Sequence, residues 1–314
     1  MFQLYKKRNF NFLISDAITF LKASGKNYFK NYFIINGGLL LVLIVLCFVM
    51  GKIFFESLFS GMTSEGSEQL IEEYFDANTG FFIGTGVVMG ILILLISIIN
   101  YSYPVIYLSL VEKHDKPDAK QILAVFKSKI GRIMIFCLLS IITFIPIAVL
   151  VGLFSMLMIA IIIGIPVAIG LFAAFSCWIY LSFFDYLNTQ NGYFESMGNG
   201  WKMLVQNFWG HMGSTAIFYL IVYIIQGILT FIPYMIGLIA MITTAESANM
   251  EDKTNTFSTI GILMLVIFTI YIVLAYVLGN ILMIGQGMIY YSCKEQVENK
   301  SLHNEIDLIG SDFE

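Results

Sequence analysis

The residues able to do metal or nucleophilic chemistry are few and scattered. There are three histidines, His114, His211 and His303, and four cysteines, Cys47, Cys137, Cys177 and Cys293. A metal hydrolase needs two or three ligands converging at about 2.0–2.1 Å from one ion, usually set by helical spacing. No pair of these residues has that spacing, and an iron oxygenase held by four histidines is excluded by count. Each cysteine falls within or at the end of a different apolar stretch, where a free thiol behaves as a small hydrophobe. No glycine-rich phosphate loop with its lysine is present. Asp76-Ala77-Asn78-Thr79-Gly80 begins like a calcium loop, but Val87 stands where the closing Glu belongs, so it reads as a turn. The expectation is a protein without catalytic residues, metal or other cofactor, and so not an enzyme.

The remaining polar chemistry lies inside apolar stretches. It consists of Asn100, Ser102, Gln226, Asn280 and Gln286, with several Thr and Tyr. In lipid such groups either hydrogen-bond between helices, at about 0.6 kcal/mol each on average, or line a small polar cavity. Asn100 with Tyr101, Tyr103 and Pro104 is the main cavity candidate, because a proline frees a carbonyl that amides and phenols can satisfy. Gln226, Asn280 and Gln286 complete the candidate set. No charged residue falls deep in any apolar stretch. Pumps and proton-coupled carriers usually need one, so they are disfavoured, while a passive conduit is not.

The elements that position these residues follow from composition. Of 314 residues, 58% are hydrophobic and 12% charged, with mean hydropathy +0.83. Soluble domains carry about 25% charged residues, so this chain lacks the polar surface to face water, and lipid is the solvent that fits. Basic residues are not in excess, which argues against nucleic acid. Residues 1–32 contain no short apolar core of a cleavable signal. Six spans are expected, at about 33–55, 80–111, 133–154, 160–184, 212–244 and 257–293. Residues 133–184 contain no Asp, Glu, Lys or Arg, too long a run for one crossing, with a turn expected between Gly152 and Pro166. Several runs exceed the minimum span, so tilt, a kink at Pro104 or Pro233, or protrusion beyond the lipid is expected.

Orientation follows the lysines and arginines. Fifteen of the 17 fall on one side if the N-terminus, the segments after spans two and four, and the tail share it. Only Lys52 and Lys253 fall on the other. Both termini are therefore expected in the cytoplasm, in a multi-pass protein of a cell's inner (plasma) membrane. The three tryptophans lie near the same basic side, as an interfacial belt would. The opposite side is acidic, and Leu70, Ile71, Tyr74 and Phe75 there predict a short surface helix. Residues 294–314 form an acidic cytoplasmic tail.

The fold class expected is an all-α polytopic transmembrane bundle made of three hairpins, each preceded by a cytoplasmic amphipathic helix. In the first helix Phe10, Leu13, Ile14, Ala17, Ile18 and Leu21 form the apolar stripe. The second spans about Pro117–Arg132 and the third about Tyr193–Trp209. Each begins near an acid, Asp16, Asp118 or Glu195, suiting the positive end of the helix dipole. The second spans of the hairpins end alike, in Ile106-Tyr107-Leu108-Ser109, Ile179-Tyr180-Leu181-Ser182 and Ile289-Tyr290-Tyr291-Ser292. Thr143-Phe144-Ile145-Pro146 and Thr230-Phe231-Ile232-Pro233 also match. These matches at equivalent depths predict an internal repeat that keeps its direction. Gly80, Gly84, Gly86 and Gly90 predict close helix approach in span two.

The third amphipathic helix carries Glu195-Ser196-Met197, Trp201-Lys202-Met203 and Asn207-Phe208-Trp209 and leads straight into a span. It resembles an uncharacterised bacterial membrane family that includes the membrane domain attached to some glycerophosphoryl diester phosphodiesterases. The resemblance covers most of residues 10–293 and carries over no catalytic residue. It implies a multi-span inner-membrane protein of unassigned role. The function expected from the residues is structural or assembly work, with the bilayer and other membrane proteins as partners. Lys22, Lys26, Lys120, Lys127, Lys129, Arg132 and Lys202 would contact lipid head groups, at about 1 kcal/mol per cation. The alternative is a passive carrier or flippase for a lipid or small amphiphile.

Overall fold

The computed structural model describes residues 2–62, 76, 78–112, 116–161, 164–245 and 250–299. Every regular element among them is a helix: α1 (Phe10–Met62), α2 (Thr79–Val111), α3 (Ala119–Ala160), α4 (Ile165–Asn188), α5 (Tyr193–Gln206), α6 (Phe208–Ala245) and α7 (Met250–Glu298). The helix expected at Leu70–Phe75 and the tail from residue 300 onward lie outside the described residues.

Six of these helices are long and apolar enough to cross a membrane: α1, α2, α3, α4, α6 and α7. The pattern of burial agrees. Ile142, Leu150, Leu157 and Ile83 are 62–71% exposed, whereas Asn100, Ser102, Asp185, Asn280 and Gln286 are at most 4% exposed. Apolar side chains outside and polar ones inside invert the arrangement of a water-soluble fold, and only a hydrocarbon solvent stabilises that inversion. The chain is a multi-pass integral membrane protein with an all-α transmembrane bundle.

The amphipathic segments differ from the expected separate helices in two of three cases. Nothing breaks the chain between residues 10 and 62, or between 119 and 160, so each amphipathic stretch continues directly into its span. Only the third is separate. Asn207 adopts φ −144°, ψ 66° and ends α5. Its carbonyl then accepts from His211 N at 2.9 Å to start α6. The expected acidic starts also differ. Asp118 is a true cap, with a reciprocal capping box to Gln121. The cap of α1 is instead Asn9, whose side chain accepts from Phe12 N at 3.0 Å. Asp16 lies inside α1, and Glu195 lies in the first turn of α5 behind Gly192. Helix α3 ends at Ala160 and α4 begins at Ile165, within the stretch where the turn is expected, and Pro166 stands in the first turn of α4. Helix α2 runs on through Pro104.

The chain divides into two compact units. The first comprises residues 1–35, 100–222 and 279–314, and the second residues 36–99 and 223–278. In the first, three span ends meet. A Cβ built on Gly287 of α7 would collide with Leu108 of α2 and stand 3.2 Å from Phe184 of α4. Gly287 therefore admits the α2 and α4 ends against α7. The matching tetrapeptides of the sequence sit at this junction, with Tyr107, Leu181 and Tyr291 each at most 1% exposed. In the second unit α1 and α7 pack where a Cβ on Gly51 would collide with Leu265, and Ser97 hydroxyl lies 3.3 Å from Tyr276 hydroxyl. The glycine stripe of α2 does not do the expected work: a Cβ on Gly80, Gly84, Gly86 or Gly90 meets nothing within 4 Å among the described residues.

Candidate functional site

The C-terminal turn of a helix leaves carbonyls without intrahelical partners. In α4 these fall in a bundle interior and receive cations from α3. Lys129 Nζ donates to Leu187 O at 2.5 Å. Arg132 donates to Tyr186 O and, at 2.9 Å, to Asn191 O, with its guanidinium 4.1 Å from the Tyr186 ring centroid. Positive charge at this end also suits the helix dipole. In the same last turn, directly before Tyr186, sits Asp185, fully buried. Its Oδ1 pairs with Lys294 Nζ of α7 at 3.1 Å. Its Oδ2 accepts from Asn191 Nδ2 and Asn199 Nδ2, each at 3.0 Å. One carboxylate thus joins α4, the α4–α5 link, α5 and α7.

The chain ahead of α1 forms a strap on the same assembly. Arg8 is 4% exposed. Its guanidinium donates to Leu4 O at 2.6 Å, Gln3 O at 2.8 Å and Asp16 Oδ2 at 2.9 Å. Its backbone N–H donates to Ser292 Oγ at 2.9 Å. Burial pushes the Arg8 pKa down, and the hydrogen bond and charge of Asp16 oppose that. Replacing Arg8 with alanine removes several charge-assisted hydrogen bonds, each worth about 1.5–3 kcal/mol. Losing one of them raises the open fraction of the strap by about tenfold or more. Limited proteolysis of residues 2–9 should accelerate accordingly in the variant, with the rest of the chain cut at its usual rate.

Between strap and span ends lies a polar chamber of about 500 Å³. Tyr5 comes from the strap, Ser109 and Glu112 from the end of α2, and Ser128 and Lys129 from α3. Asn188 and Thr189 close the end of α4, and Tyr290, Tyr291, Lys294 and Glu298 come from α7. A second recess, about 300 Å³ and almost wholly apolar, is lined by Tyr101, Phe136, Ser140, Tyr180 and Phe183 among others. Comparison of the chain with family models, with curated proteins and with solved structures gave no match.

The sequence candidates are distributed as follows. Asn100, Tyr103 and Asn280 do come together, but as a closed network. Asn280 Nδ2 donates to Asn100 Oδ1 at 3.0 Å. Tyr28 hydroxyl donates to Asn280 Oδ1 at 2.7 Å, and Tyr32 hydroxyl to Asn100 Oδ1 at 2.8 Å. Tyr103 hydroxyl donates to Tyr28 O at 2.5 Å. These groups are buried and satisfy one another. Tyr101 points away from them and lines the apolar recess, its ring stacked 6.2 Å from that of Tyr180. Gln286 Nε2 donates to Thr215 Oγ1 at 2.9 Å, and Gln226 belongs to the second unit. Among the cations, Lys22, Lys26, Lys120, Lys127 and Lys202 are exposed. Lys129 and Arg132 instead direct their charge to the backbone of α4.

Asp185 escaped the sequence reading because the fourth span was drawn only as far as Phe184. The signal was present. Each repeated tetrapeptide is followed by two residues and an acid: Ser109-Leu110-Val111-Glu112, Ser182-Phe183-Phe184-Asp185 and Ser292-Cys293-Lys294-Glu295. Glu295 is 2% exposed and Glu112 lines the chamber. Among the described residues, no three His, Cys, Asp or Glu are placed to hold a metal ion. His211 Nε2 lies 3.8 Å from Cys293 Sγ, both buried, and His211 Nδ1 meets Met203 O at 2.9 Å. That pair closes the α5–α6 break.

Proposed function

We propose that this is a non-enzymatic structural or assembly protein of a bacterial inner membrane, with both termini and the polar chamber on the cytoplasmic side. The observation that carries the reading is how the ionic groups of the first unit are used. Lys129 and Arg132 bond to the end of α4 and the link after it, Asp185 pairs with Lys294, and Arg8 bonds to the carbonyls of its own strap and to Asp16. Catalytic groups converge on a substrate position instead. The distribution of lysines and arginines supports the sidedness. The exposed lysines 22, 26, 120, 127 and 202 then meet anionic head groups along the amphipathic segments. The resemblance of residues 195–209 to the phosphodiesterase-associated membrane family belongs to the same proposal. Carriage of a lipid is disfavoured by the mutual bonding of Asn100 and Asn280, which occupies the amides a substrate path would need.

The test is crosslinking in cells followed by purification in mild detergent, together with a topology reporter fused after Glu314. A stoichiometric membrane-protein partner and a cytoplasmic reporter are the expected results. A protein that purifies alone after crosslinking, or a reporter active in the periplasm, overturns the reading.

A further inference from the structure

We propose that the polar chamber of the first unit binds an organic ammonium group, free or as the head of a lipid. The aromatic wall is the first reason. Tyr5 and Tyr291 lie with ring centroids 5.1 Å apart at 83°, and Tyr290 and Tyr291 5.2 Å apart at 81°. Tyr290 and Tyr291 are at most 2% exposed and back the wall, so Tyr5 is its accessible ring, and aromatic faces carry the negative side of the ring quadrupole that attracts cations. Carboxylates are the second reason, since Glu112 and Glu298 share the same chamber.

The alternative of an anion fails on charge. Lys294 already serves Asp185 at 3.1 Å and Glu298 at 3.6 Å. Lys129 is held by Leu187 O. Glu112 and Glu298 line the chamber beside Lys129 and Lys294, so the lining carries no net positive charge to hold an anion. Helices α2 and α4 also end here, at Val111 and Asn188, and helix C-termini favour positive charge. The wall already accepts one ammonium, because Lys294 Nζ stands 5.7 Å from the Tyr290 ring centroid. A volume of about 500 Å³ falls in the range of small-ligand sites, about 300–1,000 Å³. The strap residue Tyr5 contributes one face, so an occupant also holds the strap shut.

The experiment has two arms on the full chain. In the first, ethanolammonium and tetramethylammonium chlorides are titrated calorimetrically into protein in phosphatidylglycerol nanodiscs, with sodium chloride and inorganic phosphate as controls. In the second, protein from nanodiscs of equal phosphatidylethanolamine and phosphatidylglycerol is released into native mass spectrometry and its retained lipid identified. Glu112→Gln and Tyr5→Leu remove one charge and one aromatic face outside the packed core, and Glu298→Gln is a third variant should either fail to fold. Binding in the first arm, weakened by about tenfold in the variants, identifies a free ammonium ligand. Selective retention of phosphatidylethanolamine, lost in the variants, identifies a lipid head group. The proposal is overturned if neither arm binds above sodium, if phosphate binds instead, or if the variants bind as tightly as the parent chain.

Discussion

Asp185→Ala is expected to lower the stability of the folded protein by about 3–5 kcal/mol, the cost of removing one partner from a buried ion pair. The size of the effect follows from what the carboxylate holds. Lys294, with its side chain only 17% exposed, would keep just the longer contact to Glu298. The partly buried amides of Asn191 and Asn199 would lose the acceptor each contacts at 3.0 Å, which adds to the loss. The measurement is reversible unfolding in mixed detergent micelles. The double variant Asp185→Leu, Lys294→Met is expected to recover much of the loss, because an apolar pair removes both desolvation penalties. A single variant as stable as the parent chain would mean that the ion pair makes no net contribution. A double variant no better than the single would place the loss in the asparagine contacts.

Gly200→Val is expected to move α5 off α4 and to destabilise by about 1–3 kcal/mol or more, as overpacking does. A Cβ on Gly200 would collide with Ser182 Oγ and stand 2.7 Å from Ser182 N and 2.9 Å from Ser182 Cα. A side chain can rotate away, but backbone atoms in the middle of α4 cannot. Alanine is the sharper control. In an unconstrained helix Gly→Ala stabilises by about 1 kcal/mol, so a loss on Gly200→Ala reverses the sign that propensity alone dictates. The readout beyond stability is tryptophan fluorescence. Trp178 and Trp201 pack edge to face at 5.4 Å, and Trp178 Nε1 donates to Met197 O at 2.9 Å. Separation of α5 from α4 should shift the emission of both rings. A Gly200→Val protein with unchanged emission and stability would show that α5 can tilt freely.

The helices were legible because hydropathy and length set them almost alone. Lipid forbids any other unclosed backbone arrangement, and runs such as 133–184 admit few alternatives. Local chemistry was legible where it was strictly local: Asp118 with Gln121 three residues on is a cap in sequence and in space. What could not be read was whether an amphipathic stretch would bend before its span. The first and second continue because nothing like Asn207 interrupts them. The glycines of α2 misled for a related reason. Small residues permit close approach, but only a partner helix produces it. Among the glycines that do admit close neighbours from other helices are Gly51, Gly200, Gly285 and Gly287. Their neighbours, such as Leu265 to Gly51, are distant in sequence, so spacing gave no hint. The chamber was hidden for the same reason, being assembled from five separated stretches of chain.

The order of synthesis gives the Asp185–Lys294 pair a further meaning. The acid emerges with the fourth helix, whereas its cation arrives only with the last. Until then the nascent chain carries a carboxylate destined for burial without its counter-charge. A chain stopped before the last helix would leave that acid without its ion-pair partner.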